Sequence, residues 1–214
     1  MKFSRPKNEE ELQKREALGV IRASRFVRRY AQSYKPITVE TICAIHKEIF
    51  KDAWPEIAGN FRNEELFITD SELLLPHYTK VPQLMKKLNE DLEVKLGSLK
   101  DCAGSILELE VKVTDEAIEC INNLIHVASW VHHSITAIHP FMEGNGRTAR
   151  LASNLILERY GLVGISVKIE KENKNEYRKA LAQIDKHGDY EPLERIISEG
   201  IIDRYNGVSV KYYK

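Results

Sequence analysis

Apolar residues recur every three or four positions along most of this chain, while alternating apolar and polar runs are few and short. The first pattern is typical of amphipathic helices and the second of strands, so we predict a mainly α-helical fold. The predicted helices cover residues 9–34, 81–96, 115–138 and 147–160, and one more runs from its N-cap Thr38 to the Trp54-Pro55 pair that ends it. Gly161 is the expected left-handed terminator of the segment that begins near residue 147.

The stretch from Glu65 to Leu75 differs from the rest of the chain, because two apolar triplets flank a polar centre. This arrangement favours a short β-hairpin over a helix, and Pro76 closes it. We refer to this stretch, residues 65–75, as the flap.

Residues 115–138 carry the widest apolar stripe, which predicts that this helix is central to the core. Pro140 disfavours α geometry at His139, so the chain leaves the helix at a residue that can present a reactive side chain. A loop over residues 141–146 then leads into the next predicted helix.

The composition limits the possible functions. Lysine plus arginine and aspartate plus glutamate both number 32 in 214 residues, so the basic surface expected of a nucleic-acid-binding protein is missing. No apolar stretch is long enough to span a membrane, and the charged N-terminus has no secretion signal, which predicts a cytoplasmic protein. Cys43, Cys102 and Cys120 are interpreted as unpaired, small hydrophobic side chains in a reducing compartment.

The segment His139-Pro-Phe-Met-Glu-Gly-Asn-Gly-Arg-Thr-Ala-Arg150 concentrates the candidate chemistry. Gly144, Asn145 and Gly146 lead directly into a helix N-terminus, whose free amides and dipole attract an anion. Arg147 and Arg150 project from one face of that helix and add charge for further phosphate oxygens. These features predict a polyphosphate site.

Two further side chains of the segment suit the same task. Glu143 supplies a carboxylate oxygen of the kind that Mg²⁺ takes when phosphates provide its other ligands. His139 titrates near neutral pH and can accept a proton from an incoming hydroxyl group. A single glycine turn or a single histidine is more often structural, so the prediction depends on the convergence of all these groups.

The twelve residues from His139 to Arg150 resemble the Fic motif, His-Pro-Phe-x-(Asp/Glu)-Gly-Asn-Gly-Arg-x-x-Arg, at every specified position. A weaker likeness extends over residues 36–200 and includes Ile45-His46 and the stretch Ala58–Arg62. The resemblance implies a Fic-type helical bundle over residues 36–200, with the flap beside the active-site loop. An N-terminal helical extension (1–35) and a C-terminal tail (201–214) complete the expected organisation.

The family resemblance implies a protein AMP-transferase, in which a hydroxyl oxygen of a target Ser, Thr or Tyr attacks the α-phosphorus of Mg-ATP and pyrophosphate leaves. Carried over to this chain, His139 is the general base and Glu143 binds Mg²⁺. Gly144 to Gly146 and Arg147 hold the α- and β-phosphates, and Arg150 faces the γ-phosphate.

Two further assignments depend on the resemblance alone. Tyr177 is similar to the tyrosine that borders the adenine pocket, although an aromatic at helical spacing is at least as often part of a core. The flap in the family docks the target backbone as an added strand, which gives Leu66, Phe67 and Ile68 a function.

Other functions stay open at this point. The same site could use another donor, as in UMP or phosphocholine transfer, or could remove AMP, and a non-enzymatic ATP-binding regulator is the third possibility. Kinase activity of the Doc type is disfavoured, because those motifs carry lysine where this chain has Gly146. The adjacent His132 and His133 point to different helix faces, which disfavours a zinc site.

Fic proteins are commonly inhibited by a helix with Ser/Thr-x-x-x-Glu-Gly/Asn, whose glutamate pairs with the second arginine of the motif. A Ser or Thr precedes a Glu by four residues only at Ser166 and Glu170, where Lys171 follows instead of Gly or Asn. We therefore expect a separate small antitoxin to supply the carboxylate to Arg150, with Glu16 and Glu199 as the weaker alternatives within this chain.

Overall fold

A computed structural model describes residues 5–67, 74–100, 102, 114–165 and 174–212 of the chain. These residues form helices and loops and contain no strand, so the mainly α-helical prediction is confirmed. The helices are α1 (Glu9–Ala31), α2 (Val39–Phe50), α3 (Val81–Gly97), α4 (Asp115–Ile138), α5 (Asn145–Arg159), α6 (Lys174–His187) and α7 (Glu191–Tyr212), with a 3₁₀ turn at Tyr78–Lys80 before α3.

Several helix ends differ from those predicted. α1 ends at Ala31 rather than at residue 34, and Tyr34 adopts a left-handed conformation, with a φ of 54°. α2 ends at Phe50 rather than at Trp54. α5 begins at Asn145, because Gly144 is its left-handed N-cap. α7 continues through residues 201–212, which were expected to form a tail.

The predicted flap hairpin is not seen. Ile68 and the residues up to 73 lie outside the described part of the chain, and the described ends of the flap, residues 65–67 and 74–75, are not in a strand. The hairpin therefore stays a prediction.

Helix α4 lies at the centre of the bundle, as its wide apolar stripe predicts. It packs most extensively along α5 and also contacts α3, α6 and α7. The largest fully buried side chains come from several helices: Phe50, Met85, Leu92, Leu124, Ile135, Leu155 and Ile156.

Helix α1 packs against α2 and α5, and Gly19 sets its distance from α2. A Cβ atom at Gly19 would lie 1.9 Å from the carbonyl oxygen of Ile49, so only glycine permits this crossing. The close approach brings Glu16, one turn before Gly19, over the start of α5.

Cys102 and Cys120 form a disulfide, which joins the segment after α3 to the first turns of α4, and Cys43 is free. The interpretation of all three cysteines as unpaired is therefore wrong for two of them. Spacing alone could not reveal the pair, because it depends on how the chain returns to α4. Disulfides persist mainly in oxidising compartments, so this pair does not support the cytoplasmic prediction.

No helix in the described part of the chain has the length and apolar character needed to cross a membrane.

Candidate active site

His139 is the residue that ends α4, and its backbone is left-handed, with φ 50° and ψ 58°. Its amide N–H still donates to the carbonyl oxygen of Ile135 at 2.9 Å, and Pro140 then directs the chain away from the helix axis. This conformation is unfavourable for a residue with a Cβ atom, by about 1–3 kcal/mol, and persists only where the surroundings hold it.

The imidazole of His139 is oriented by a backbone carbonyl. Nδ1 lies 3.3 Å from the carbonyl oxygen of Thr136, and because a carbonyl can only accept, Nδ1 carries the proton and Nε2 keeps its lone pair. Burial lowers the pKa of His139, the hydrogen bond to Thr136 and the charge of Glu143 oppose this, and the charge of Arg62 adds to it. A lowered pKa leaves Nε2 unprotonated at neutral pH, as a general base requires.

The loop after His139 is closed by Asn145. Its side chain accepts from the N–H of Phe141 at 2.9 Å and donates to the carbonyl of Phe141 at 2.7 Å. Asn145 is buried and its side-chain hydrogen bonds stay within the loop, so only its backbone amide remains available to a phosphate. This refines the predicted role of Asn145.

His46 of α2 holds the same loop through hydrogen bonds and ring stacking. Its Nε2–H donates to the carbonyl oxygen of Glu143 at 3.0 Å, and its Nδ1 accepts from the N–H of Gly59 at 2.9 Å. The ring stacks on Phe141 with 3.9 Å between ring centroids. Burial lowers the pKa of His46 from 6.5 to about 4, so the ring is neutral. In the sequence, His46 was noted only as part of the family resemblance, and its role in supporting the loop was not predicted.

Arg62 holds the start of the loop. Its backbone N–H donates to the carbonyl of Pro140 at 2.8 Å, and its Nε–H donates to the carbonyl of His139 at 2.8 Å. Arg62 was likewise noted only within the stretch Ala58–Arg62 that resembles the family, and its hydrogen bonds to the loop were not predicted. The GNFR pattern at residues 59–62 is the one signal that could have identified it.

The predicted anion site lies at the start of α5. Gly144 has a φ of 75°, and a Cβ atom there would lie 2.3 Å from the Phe50 ring, so the position requires glycine. The first intrahelical bond runs from the Thr148 N–H to the Gly144 carbonyl, which leaves the amides of residues 145–147 for a ligand. Gly146 lies inside the first helical turn rather than in the loop, and its φ is not positive.

Arg147 is engaged by two carboxylates. Its NH1 lies 2.5 Å from Oε2 of Glu16 on α1, and its NH2 lies 3.1 Å from Oε1 of Glu143. Glu143 Oε1 also accepts from the Gly144 N–H at 2.8 Å. Glu16 is thus a site residue that no motif marks.

Arg150 has no carboxylate partner among the described residues. It lines a cavity of about 250 Å³ between α1, α5 and α7, together with Arg28, Arg147, Glu158 and Arg204. Burial lowers the pKa of Arg150, and the nearby Tyr177 opposes this. The cavity is rich in arginine, which suits an anionic group.

Tyr177 packs against the hydrophobic core and its hydroxyl lies 2.6 Å from Nε2 of His132. Burial raises the pKa of Tyr177 to about 12 and lowers that of His132 to about 3, so both groups are neutral. The structure therefore gives Tyr177 a place in the core beside Arg150, and the adenine contact stays a prediction. The neighbouring His133 points elsewhere and bonds Asp185 at 2.8 Å.

The described ends of the flap expose large apolar side chains. Phe67 and Leu74 are each 92% exposed, and Leu66 is half-buried. Ile68 lies outside the described residues. These exposed groups are compatible with a docking surface, which stays a prediction.

The residues present fit a magnesium ion that arrives with a nucleotide. In the described part of the chain no group of three or more His, Cys, Asp or Glu side chains could hold a metal by itself. Glu143 offers an exposed carboxylate next to the amides at the start of α5. One carboxylate plus phosphate oxygens is a common ligand set for Mg²⁺.

Residues 36–157 match the sequence profile of the Fic/DOC family. A protein adenylyltransferase Fic from Nematostella vectensis is 30% identical over 91% of this chain and 40% of its own length. The protein adenylyltransferase fic-1 of Caenorhabditis elegans is 27% identical over 90% of this chain and 34% of its own length. The chain thus spans less than half the length of these curated relatives.

Solved structures have the same fold. The E274G form of C. elegans Fic-1, residues 134–508, is 25% identical, with a TM-score of 0.63 over 90% of this chain and 50% of that one. The BepC protein of Bartonella tribocorum with bound AMPPNP is 16% identical, with a TM-score of 0.63 over 91% of this chain and 88% of that one.

Proposed function

The chain belongs to the Fic/DOC family, and we propose that it transfers AMP from Mg-ATP to a hydroxyl group of a target protein. The observation that carries the proposal is the orientation of the His139 ring, whose Nδ1 lies 3.3 Å from the carbonyl oxygen of Thr136. Its Nδ1–H is committed to Thr136, so Nε2 is free to accept a proton, and the loop behind it ends at an anion-binding helix start. The names of the adenylyltransferase relatives support the same activity.

The reaction follows from these groups. His139 Nε2 accepts the proton of a Ser, Thr or Tyr hydroxyl as its oxygen forms a bond to the α-phosphorus. The bond from that phosphorus to the bridging oxygen breaks, and pyrophosphate leaves with the electron pair. The amides of residues 145–147 stabilise the charge that develops on the phosphate oxygens. A magnesium ion, where bound through Glu143, would neutralise part of the phosphate charge.

The contacts of Arg147 indicate that the two arginines of the motif have different roles. Arg147 must exchange Glu16, Glu143 or both for phosphate oxygens, whereas Arg150 faces an open cavity. Arg150 is therefore the ready contact for the γ-phosphate, and Arg147 the contact for which ATP must compete.

The open cavity also supports the predicted antitoxin. A glutamate of a separate protein that entered beside Arg150 would form a charge-assisted pair and exclude the γ-phosphate. Glu16 contacts Arg147 rather than Arg150, so it does not supply this contact. Glu199 is exposed on α7, and in the described part of the chain it forms no ion pair with Arg147 or Arg150.

The test uses ATP labelled at the α or the γ position, with a soluble lysate as the pool of acceptor proteins. Covalent label from the α position alone is expected. Label from the γ position would instead indicate a kinase, and binding without transfer would indicate a regulator. Labelled UTP in a parallel reaction distinguishes another nucleotide donor.

His139→Ala is expected to bind ATP as tightly as the wild type and to lose transfer, because it removes the proton acceptor and leaves the anion site intact. ATP affinity by titration calorimetry and covalent α-label separate the two effects. Transfer at the wild-type rate would remove His139 from the reaction.

A further inference from the structure

Arg62 has a fully buried side chain, and among the described residues its side-chain hydrogen bonds all go to backbone carbonyls, one in its own segment and two in other parts of the chain. Nε donates to the carbonyl of His139 at 2.8 Å, NH1 donates to the carbonyl of Glu64 at 3.2 Å, and NH2 donates to the carbonyl of Pro76. Glu64 and Pro76 are the residues directly before and after the flap. One guanidinium therefore connects both ends of the flap to the residue that carries the catalytic imidazole.

The bonds at His139 explain how its unfavourable backbone is held. A helix end leaves carbonyl oxygens without helical partners, and Pro140 has no N–H of its own. Arg62 satisfies the carbonyls of both His139 and Pro140, one through its side chain and one through its backbone N–H. Two consecutive peptide units, the one after His139 and the one after Pro140, are thus each held at their carbonyl by one residue.

We propose that Arg62 is a positioning residue that couples the two ends of the flap to the catalytic His139. The inference rests on the proposed function, in which the flap docks the target and His139 takes its proton. The flap ends and the imidazole are held by the same guanidinium, so a target that docks on the flap meets the base at a fixed distance.

Arginine is suited to this task and lysine is not. A guanidinium has five N–H donors in one plane, which allows it to bond carbonyls in different directions, whereas an ammonium group is a compact donor on a flexible chain. The Glu65 carboxylate, 3.8 Å from NH1, partly balances the buried charge. A lysine at this position would be expected to reach one or two of the three carbonyls.

The test compares Arg62→Met and Arg62→Lys with the control Arg159→Met. Arg159 is a matched control because its guanidinium also bonds two backbone carbonyls, those of Ala31 and Tyr30, but lies away from the catalytic loop. For each variant the measurements are ATP affinity, the rate of α-label transfer to lysate protein at saturating ATP, and amide hydrogen exchange of residues 74–80 and 139–146.

Arg62→Met is expected to lower transfer on the order of 100-fold, as for a displaced catalytic group, with ATP affinity changed by less than about twofold. Arg62→Lys should recover part of the rate. In both Arg62 variants, amide exchange should become faster in residues 74–80 and in residues 139–146 together. Arg159→Met should leave both segments and the transfer rate unchanged.

Faster exchange in only one segment, or equal loss of transfer in the Arg62 and Arg159 variants, would overturn the coupling. The exchange measurement needs no substrate. If the wild type transferred no AMP while both segments still loosened together in Arg62→Lys, the proposed activity would fail and the coupling would stand.

Discussion

Replacement of His46 by phenylalanine tests how the active-site loop is supported. Phenylalanine keeps an aromatic ring against Phe141 but can neither donate to the Glu143 carbonyl nor accept from the Gly59 N–H. The substitution therefore removes two hydrogen bonds and leaves the packing largely intact, and it takes nothing from the groups proposed to contact substrate.

The size of the effect follows from the groups left without partners. A buried donor or acceptor without a partner costs about 1–3 kcal/mol. Gly59 N–H loses its bond inside the protein, whereas the Glu143 carbonyl belongs to an exposed residue and regains water more easily. We expect His46→Phe to lower the free energy of unfolding by about 2–4 kcal/mol, which lowers the Tm of a chain this long by about 5–15 °C.

The variant should also change how stability depends on pH. The pKa of His46 falls from 6.5 to about 4 on folding, so as pH falls below 6.5 the unfolded chain takes up a proton that the folded chain does not. The free energy of unfolding therefore decreases, by about 2 kcal/mol at pH 5 from this residue alone. His132, with a pKa of about 3, acts in the same direction and remains in the variant.

Urea unfolding at pH 7.5 and pH 5 measures both effects. The decrease between the two pH values should be smaller in His46→Phe than in the wild type, by about 2 kcal/mol. His133→Phe serves as the control, because His133 bonds Asp185 at the surface of α4 and lies outside the loop. A variant that is as stable as the wild type at pH 7.5, or equally sensitive to acid, would refute the proposed support of the loop by His46.

Three other predictions concern ligand binding. Glu16→Gln should tighten ATP binding about tenfold in calorimetry, because a charged competitor for Arg147 is removed; weaker binding would mean that Glu16 orients Arg147 instead. Glu143→Ala should lower transfer, with partial recovery at high Mg²⁺, and a rate that does not respond to Mg²⁺ would contradict the metal assignment. Phe67→Pro should impair transfer more than ATP binding, because proline removes an amide that a docking strand needs; equal losses would contradict target docking at the flap.

The parts of the fold that could be predicted follow local rules. The boundaries of α4, Asp115–Ile138, were predicted correctly, and its end follows because Pro140 disfavours helical geometry at His139. Thr38 is the N-cap of α2 as predicted, and its backbone N–H donates to the Thr41 hydroxyl at 3.2 Å. The glycines that lead into a helix correctly indicated the N-terminus of α5, although Gly146 lies inside that helix, and the anion site there stays a prediction.

The supports of the site could not be predicted, because their partners are distant in sequence. His46 is 97 residues from Glu143, Arg62 is 77 residues from His139, and Glu16 is 131 residues from Arg147. Nothing in the periodicity of α1 or α2 shows which polar side chain will meet the loop. The disulfide between Cys102 and Cys120 spans only 18 residues, and it was missed because spacing alone does not show which cysteines meet.

The twelve residues of the motif therefore contain the groups proposed to react, and residues outside the motif hydrogen-bond the loop that positions them. Asn145 closes the loop from within, Arg62 donates to the carbonyl of the left-handed His139, and His46 donates to the carbonyl of Glu143. Each of these partners satisfies a backbone group that the sharp turn leaves without a helical partner. A related chain that kept all twelve motif residues but lacked Arg62 and His46 would have the same reactive groups without the means to hold them in place, so these two positions are as informative about activity as the motif itself.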